Sequence, residues 1–219
     1  MCSDERYVYP SELGTFSSIS ARQRMITTGS IGRSWANNYT TAARLPLHPS
    51  IGPPNTPYPP HDLSLHSQKE TQFLDTASLP QADSELSHAA LSFVHGGLSP
   101  SYSNLSPFPE KINELGHSLL SKLQHRKQPP PHPPNPYPGL PHDTTEAEEE
   151  LYGSNGPLWY RGWAMQNEAK VCSEVDAVLK KTGTRRMIMG HTPDFHVSQH
   201  LLEAQRRLIS FTQEHRFEM

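Results

Sequence analysis

The chain has 219 residues, of which 34% are hydrophobic and 22 are prolines, and its formal net charge is -3 at pH 7. This weak charge gives no electrostatic case for binding nucleic acid or an anionic membrane. No stretch approaches the roughly 18 apolar residues of a membrane span, and the N-terminus lacks the regions of a signal peptide, so a cytoplasmic location is the default expectation. The composition predicts a partial core interrupted by long proline-rich loops.

The N-terminal segment predicts two helices. Apolar residues recur at spacings near three to four over residues 10–28, which is typical of an amphipathic helix. Residues 31–44 carry Trp35 and Tyr39 at helical spacing and predict a second, short helix. We expect both aromatic side chains to pack in a core rather than to contact a ligand.

Two segments, residues 46–86 and 128–143, are rich in proline, which cannot sustain a helix or a central strand. We expect both to be long disordered loops. The second contains PxxP spacings such as Pro130 with Pro133, so the tract over residues 128–138 has the pattern that SH3-type grooves bind. The alternative, and the simpler interpretation, is a stiff loop inside or beside a domain.

Three further helices follow. Residues 107–127 place apolar side chains on one face, with acidic and basic residues at the ends that the helix dipole favours. Thr145 and Glu148 have the spacing of a capping box, which opens a short acidic helix. The run of three glutamates that begins at Glu148 is interpreted as a solvated face rather than a metal site. The third of these helices is predicted over residues 166–182, with Gly183 as its stop.

A short apolar strand is predicted over residues 89–94, because this run lacks proline and ends in β-formers. It stops at His95, and Gly96 and Gly97 follow. Neither glycine has a Cβ atom, so both allow a sharp turn and a close approach of the backbone to a ligand. On its own this stretch is equally compatible with a core strand, a surface histidine and an ordinary turn.

A second unit of the same kind lies near the other end, where the strand predicted at residues 187–189 is followed by Gly190 and His191. Open α/β sheets place their sites at the carboxyl ends of strands. Two such units can bring two imidazoles to one edge of a sheet, which is a geometry suited to metal ligation.

Arg161 lies in a segment in which glycines flank an aromatic pair and one arginine. This arrangement can hold a guanidinium rigidly beside a pocket, where it would bind an oxyanion through two parallel hydrogen bonds. Taken alone, such a segment is more often a packed turn.

Three motifs occur in a fixed order: His-Gly-Gly-Leu-Ser-Pro, Trp-Tyr-Arg-Gly and Met-Gly-His-Thr-Pro. In this order they resemble calcineurin-like metallophosphoesterases, and among these the Shewanella-like protein phosphatases of fungi. The resemblance covers about residues 6–194. It implies an α/β (α+β) fold, with a partial β-sandwich flanked by helices over residues 1–194. An atypical helical tail without a further strand is expected over residues 195–219.

The resemblance also implies a function, the hydrolysis of a phosphoprotein or a small phosphate ester at a centre of two divalent metal ions (Mn, Fe or Zn). His95 and His191 would be ligands of one metal, and Arg161 would clamp the phosphate and stabilise charge on the transferring group. The residues expected to form the supporting turns are Gly96, Gly97, Gly190 and Thr192.

Of three other motifs of the family, Gly-Asp-x-x-Asp-Arg-Gly and Gly-Asn-His-Glu do not occur in the sequence. Asp-x-His, which comes earlier than the other motifs in the family, occurs only at Asp194-Phe195-His196, after the Met-Gly-His-Thr-Pro motif. In the family these three motifs supply the remaining metal ligands and the general acid, so we expect a chain truncated at both ends of the catalytic domain, with little or no phosphatase activity. Unpaired strand edges are expected to favour aggregation. The alternatives are a non-catalytic pseudo-phosphatase, a proline-rich interaction protein, and a histidine-rich zinc scaffold for which no ligand spacing is present.

Overall fold

The computed structural model describes residues 10–60, 88–125, 140–192 and 208–210. Within these ranges the helices are Pro10–Thr15 (α1), Ile19–Ile26 (α2), Ser30–Asn38 (α3), Glu110–His125 (α4), Glu146–Tyr152 (α5), Gly162–Met165 (α6) and Glu168–Thr182 (α7). The strands are Ala42–Pro46 (β1), Ala90–Val94 (β2), Arg186–Met189 (β3) and Leu208–Ser210 (β4). None of the described helices is long and apolar enough to cross a membrane.

The chain divides into two compact units. The helical unit comprises Met1–Thr40 and Leu115–Glu149, and the sheet unit comprises Thr41–Glu114 and Glu150–Met219. The combination of helices with one mixed sheet confirms the predicted α/β (α+β) class. The described residues form a single sheet, so the second sheet of the expected sandwich is not among them.

The sheet has the order β1-β2-β3-β4. β1 is antiparallel to β2, whereas β3 is parallel to both β2 and β4. In the central pair Leu91 lies opposite Arg186 and Val94 lies opposite Met189. Because β2 and β3 run in the same direction, the residues that follow them emerge at the same edge of the sheet.

Helix α7 belongs to the sheet unit and has the buried stripe that its sequence pattern predicts. Val171, Val175 and Val178 form its buried stripe. Gly183 ends it in the left-handed conformation, with φ of 61°, which glycine adopts without steric cost. The predicted helices over residues 107–127 and after Thr145 are likewise present, as α4 and α5.

The N-terminal prediction is wrong in three places. The helix predicted over residues 10–28 is broken into α1 and α2, because Ser17 has a φ of 63° and Ser18 caps α2 by accepting a hydrogen bond from the Ala21 amide. The helix predicted over residues 31–44 ends at Asn38, and its last part is β1. Trp35 and Tyr39 do not pack in a core, since 45% and 54% of their surfaces are exposed.

Strand β4 corrects the prediction of a helical C-terminal tail without a further strand. Its three residues pair in parallel with β3, with Ile209 opposite Ile188. The rest of the segment over residues 195–219 lies outside the described residues. So does the PxxP tract over residues 128–138, as well as residues 61–86 of the first proline-rich segment.

The run of three glutamates is not a solvated face. Glu148 is 1% exposed, and its carboxylate accepts hydrogen bonds from the Lys122 ammonium at 2.6 Å and the Ser118 hydroxyl at 2.5 Å. Glu150 accepts from the Ser103 amide at 2.9 Å and from its hydroxyl. Only Glu149 is exposed as predicted. Neighbouring carboxylates in one acidic run therefore have three different environments.

The outer edge of β1 is closed by two asparagines. The Asn113 Oδ1 accepts from the Thr41 and Ala42 amides at 2.8 and 2.9 Å, and its Nδ2 donates to the Ala42 carbonyl at 2.9 Å. At Arg44 the Asn55 Oδ1 accepts from the Arg44 amide at 3.0 Å, and the Asn55 backbone amide donates to the Arg44 carbonyl at 2.8 Å. The backbone groups that a further strand would use are thus occupied at these positions, so the expected unpaired edge is not found at β1.

Replacing Asn113 by alanine should therefore destabilise the sheet unit by about 1–2 kcal/mol and increase aggregation, because it frees three backbone groups on a part-buried edge. Urea unfolding and light scattering measure the two effects. Asn38→Ala is a matched control, because Asn38 is also helical but its side chain bonds only the exposed Ser34 carbonyl. Equal stability and solubility of the two variants would contradict this role of Asn113.

Candidate functional site

The candidate site lies in the sheet unit, at the carboxyl ends of β2 and β3. His95 directly follows β2, and His191 follows β3 after Gly190. The His191 Nδ1 and the His95 Nε2 are 3.1 Å apart, and the ring centroids are separated by 4.8 Å. The parallel strands thus bring the two predicted histidines together, and their role as metal ligands stays a prediction.

The turn that carries His191 has an uncommon backbone. His191 has a φ of 66°, in the left-handed region that few residues other than glycine adopt. The turn is held by the Gly190 amide, which donates to the His95 carbonyl at 3.0 Å, and by the Thr192 amide, which donates to the Gly190 carbonyl at 2.7 Å. These contacts hold the turn that carries His191 against the turn that carries His95.

Gly96 and Gly97 are packed against the chain's own backbone and rings rather than open to a ligand. The Gly96 amide donates to the Pro157 carbonyl at 2.7 Å, and a Cβ atom on Gly96 would lie 2.8 Å from the Trp159 amide nitrogen. A Cβ atom on Gly97 would lie 2.8 Å from the Trp163 ring. These glycines therefore allow the segment that carries Arg161 to dock on the turn that carries His95.

Arg161 lies beside the two histidines. Its Nη1 donates to the Thr192 hydroxyl at 3.1 Å and to the His191 carbonyl at 3.4 Å. The side chain is exposed, and its other guanidinium donors have no partner among the described residues. Arg161 is thus held near the histidines while part of its guanidinium is available to an anion.

The electrostatics of the site favour the neutral form of both imidazoles. Burial lowers the pKa of His95, and the charge of Arg161 lowers it further. Burial, Arg161 and then His95 lower the pKa of His191 to about 4. A neutral imidazole has one nitrogen with a free lone pair, which is the form that binds a metal ion.

An aromatic wall, which the sequence did not identify as part of the site, borders the histidines. The Trp159 ring is T-shaped to His191, with centroids 5.0 Å apart, and Tyr152 stands against Trp159 at 5.9 Å. Both aromatic residues, with Ser154 and Arg161, line an open depression of about 450 Å³. Trp159 could have been identified from the sequence, because it belongs to the Trp-Tyr-Arg-Gly motif. Tyr152 and Ser154 lie in no motif.

The described residues fit part of a metal site. A separation of 3.1 Å between the facing nitrogens of His95 and His191 suits two neighbouring ligands of one ion with bonds of about 2 Å. Imidazole pairs suit zinc and iron, whereas hard dications prefer carboxylates. No group of three or more candidate ligands that could hold a metal is present in the described part of the chain. These residues therefore fit two ligands of one ion and do not fit a two-metal centre.

No protein-family model matches the chain. An uncharacterized protein of Schizosaccharomyces pombe is 36% identical over 104 residues, which cover 48% of this chain and 26% of that protein. Two solved structures, a cold-active protein tyrosine phosphatase and a point mutant of such an enzyme, are 20% and 22% identical, with TM-scores of 0.35 and 0.37. Each match covers 55% of this chain and 30% of the solved chain. The chain thus spans about a quarter of the curated relative, and membership of the calcineurin-like family stays a prediction.

Proposed function

We propose that the chain forms part of a metal-dependent phosphoesterase centre at the carboxyl ends of β2 and β3. In this proposal His95 and His191 bind one divalent metal ion, and Arg161 binds the phosphate group of a phosphoprotein or a small phosphate ester. The observation that supports it is the facing pair of neutral imidazole nitrogens, 3.1 Å apart, beside a partly free guanidinium.

Each residue has a chemical role in this proposal. A metal ion bound to the facing nitrogens would take the place of the proton that lies between them, and it would act as a Lewis acid on a phosphate oxygen. The free donors of Arg161 would bind phosphate oxygens and stabilise the charge that develops on them. Trp159 and Tyr152 would form an apolar wall on one side of the bound phosphate ester.

Turnover by this chain alone is expected to be slow or absent, because a bridging hydroxide needs two metal ions and the described site contains no carboxylate ligand. The second candidate function is therefore a pseudo-phosphatase, which binds the metal and the phosphate without hydrolysis. The same donor set favours it, since two imidazoles and a guanidinium suffice for binding. An SH3-type partner at residues 128–138 is a separate proposal, which rests on the PxxP pattern alone.

Zinc and manganese titrations of the full chain test the proposal. His95→Ala and His191→Ala should each weaken binding at least roughly tenfold, since each removes one of two ligands. His117→Ala is the matched control, because His117 is exposed on α4 and lies outside the site. A wild-type chain that binds neither metal, or equal loss in all three variants, would overturn the proposal.

Arg161→Ala separates the phosphate site from the metal site. It should weaken the binding of inorganic phosphate in the presence of zinc at least roughly tenfold and should not weaken zinc binding, because Arg161 is a cation and supplies no metal ligand. Hydrolysis of p-nitrophenyl phosphate, compared between the wild type and His95→Ala, distinguishes the two candidate functions. A rate that His95→Ala abolishes indicates an esterase, and binding without such a rate indicates a pseudo-phosphatase.

A further inference from the structure

One ring nitrogen of His191 has no conventional partner. The Nδ1 faces the His95 Nε2, but the His191 Nε2 is buried and makes no hydrogen bond to any described residue. Buried polar atoms in proteins are nearly always paired, so an atom of this kind needs an explanation. A histidine that ligates a metal usually donates its other N–H to a carboxylate, a carbonyl or water, and the described part of the chain supplies no such group to the His191 Nε2.

Trp159 is the neighbour that can satisfy this nitrogen. The planes of the Trp159 and His191 rings make an angle of 85° with centroids 5.0 Å apart, an arrangement in which the edge of one ring points at the face of the other. The face of an indole ring is electron-rich and accepts an N–H donor. Trp159 is itself held in place, because its amide donates to the Gly156 carbonyl at 3.0 Å and Tyr152 packs against its ring.

We propose that Trp159 is a positioning residue for His191: the Nε2–H of His191 donates into the face of the Trp159 ring and so fixes the tautomer of the imidazole. The proton then lies on Nε2, and the lone pair on Nδ1 points at His95. The opposite tautomer would place the Nε2 lone pair against the negative face of the indole, which is repulsive. Trp159 thus takes the place that a carboxylate or carbonyl has behind other ligating histidines.

The assignment of the His191 tautomer does not depend on the proposed function. The expected effect of this tautomer on metal binding does rest on the proposed function. A lone pair held on Nδ1 is preorganised toward the point where a metal ion would bind both histidines, so loss of the indole should weaken metal binding without removing a ligand. The proton position is measured in the metal-free protein, and metal affinity is measured separately, so that either result can fail alone.

The test is the tautomer of His191 in the ¹⁵N-labelled chain of 219 residues, measured by long-range proton–nitrogen correlation at neutral pH. The wild type should show the proton on Nε2. Trp159→Leu should lower the ratio of the Nε2–H to the Nδ1–H form by roughly threefold to fivefold, the size expected for a weak N–H contact with a ring. Trp159→Phe keeps an aromatic face and should largely restore the ratio. The control is Trp163→Phe, because Trp163 donates to the Leu98 carbonyl instead.

Three results would overturn the proposal: a wild-type His191 protonated on Nδ1, an unchanged ratio in Trp159→Leu, or an equal change in Trp163→Phe. If Trp159→Leu does not fold, the wild-type and Trp159→Phe spectra decide, since both must show the proton on Nε2. Zinc affinity should fall in Trp159→Leu and recover in Trp159→Phe. A wild type that does not bind zinc contradicts the proposed function and leaves the tautomer assignment intact.

Discussion

Replacing Arg44 by alanine is expected to lower the free energy of unfolding of the sheet unit by about 3–5 kcal/mol, the range of changes that disrupt a buried charged network. Arg44 lies on β1 and is only 1% exposed. Its Nη2 and Nε donate to the Gly183 carbonyl at 2.8 and 3.2 Å, and its Nη1 donates to the Thr56 carbonyl at 3.4 Å. The guanidinium also lies 5.5 Å from the centre of the Tyr58 ring.

The large effect follows from what surrounds this guanidinium. Burial lowers the pKa of Arg44, yet a guanidinium stays charged in proteins, so its charge must be stabilised by the groups that it contacts. The Gly183 carbonyl lies at the C-terminus of α7, where the helix dipole is negative. Tyr58 packs so closely on Gly183 that a Cβ atom there would clash with the Tyr58 ring. Alanine would leave these carbonyls without a donor and open a cavity between a strand, a helix end and a ring.

Urea unfolding followed by circular dichroism measures the effect. Arg44→Met fills most of the volume without a charge and should recover part of the loss, which separates packing from hydrogen bonding. Arg186→Ala is the matched control, because Arg186 lies exposed at the start of β3 and should change stability by less than about 0.5 kcal/mol. An Arg44→Ala variant as stable as the Arg186→Ala variant would contradict the structural role assigned to Arg44.

The meeting of the two histidines could be predicted from sequence, because strand pattern and chain direction carry it. Residues 89–94 and 187–189 are short apolar runs that end at a histidine turn, and parallel pairing then places His95 and His191 at one edge. The position of Arg161 beside the two histidines was implied by the resemblance to metallophosphoesterases and not by the strand pattern. Helices with a long apolar stripe were equally predictable, since the stripe itself specifies the buried face.

Features that depend on tertiary contacts could not be predicted. β1 is an edge strand that contains Arg44 and ends at Pro46, so it lacks the apolar run that marks a buried strand. Gly96 suggested space for a ligand, but its neighbour is another segment of the chain. The sequence pattern does not distinguish Glu148 from Glu149. The environment of Glu148 depends on a lysine and a serine of a different helix, which the local pattern does not specify.

Lowering the pH should destabilise the helical unit through Glu148. Burial alone would raise the pKa of this carboxyl group, but hydrogen bonds from Lys122, Ser118 and Thr145 outweigh it and lower the pKa from 4.5 to about 2. A carboxyl group whose pKa is lower in the folded state contributes stability above its unfolded pKa. That contribution is complete above about pH 4.5 and is lost as the pH falls toward about 2.

The expected size is about 3 kcal/mol, because each pKa unit corresponds to about 1.4 kcal/mol. Glu148→Gln should remove this part of the pH dependence and should destabilise the unit at pH 7, where Lys122 loses the anion 2.6 Å from its ammonium. Glu149→Gln is the matched control, since Glu149 is the exposed neighbour in the same helix. Urea unfolding between pH 2 and 7 compares the three proteins.

A double variant completes the argument, because a buried ion pair can be costly to break and still add little net stability. Lys122→Met in the Glu148→Gln background removes the ammonium that has lost its carboxylate, so the double variant should recover part of the stability that Glu148→Gln loses at pH 7. If the double variant instead loses the sum of the two single changes, Lys122 and Glu148 act independently. Parallel pH profiles for the wild type and Glu148→Gln would show that Glu148 is not the group that titrates.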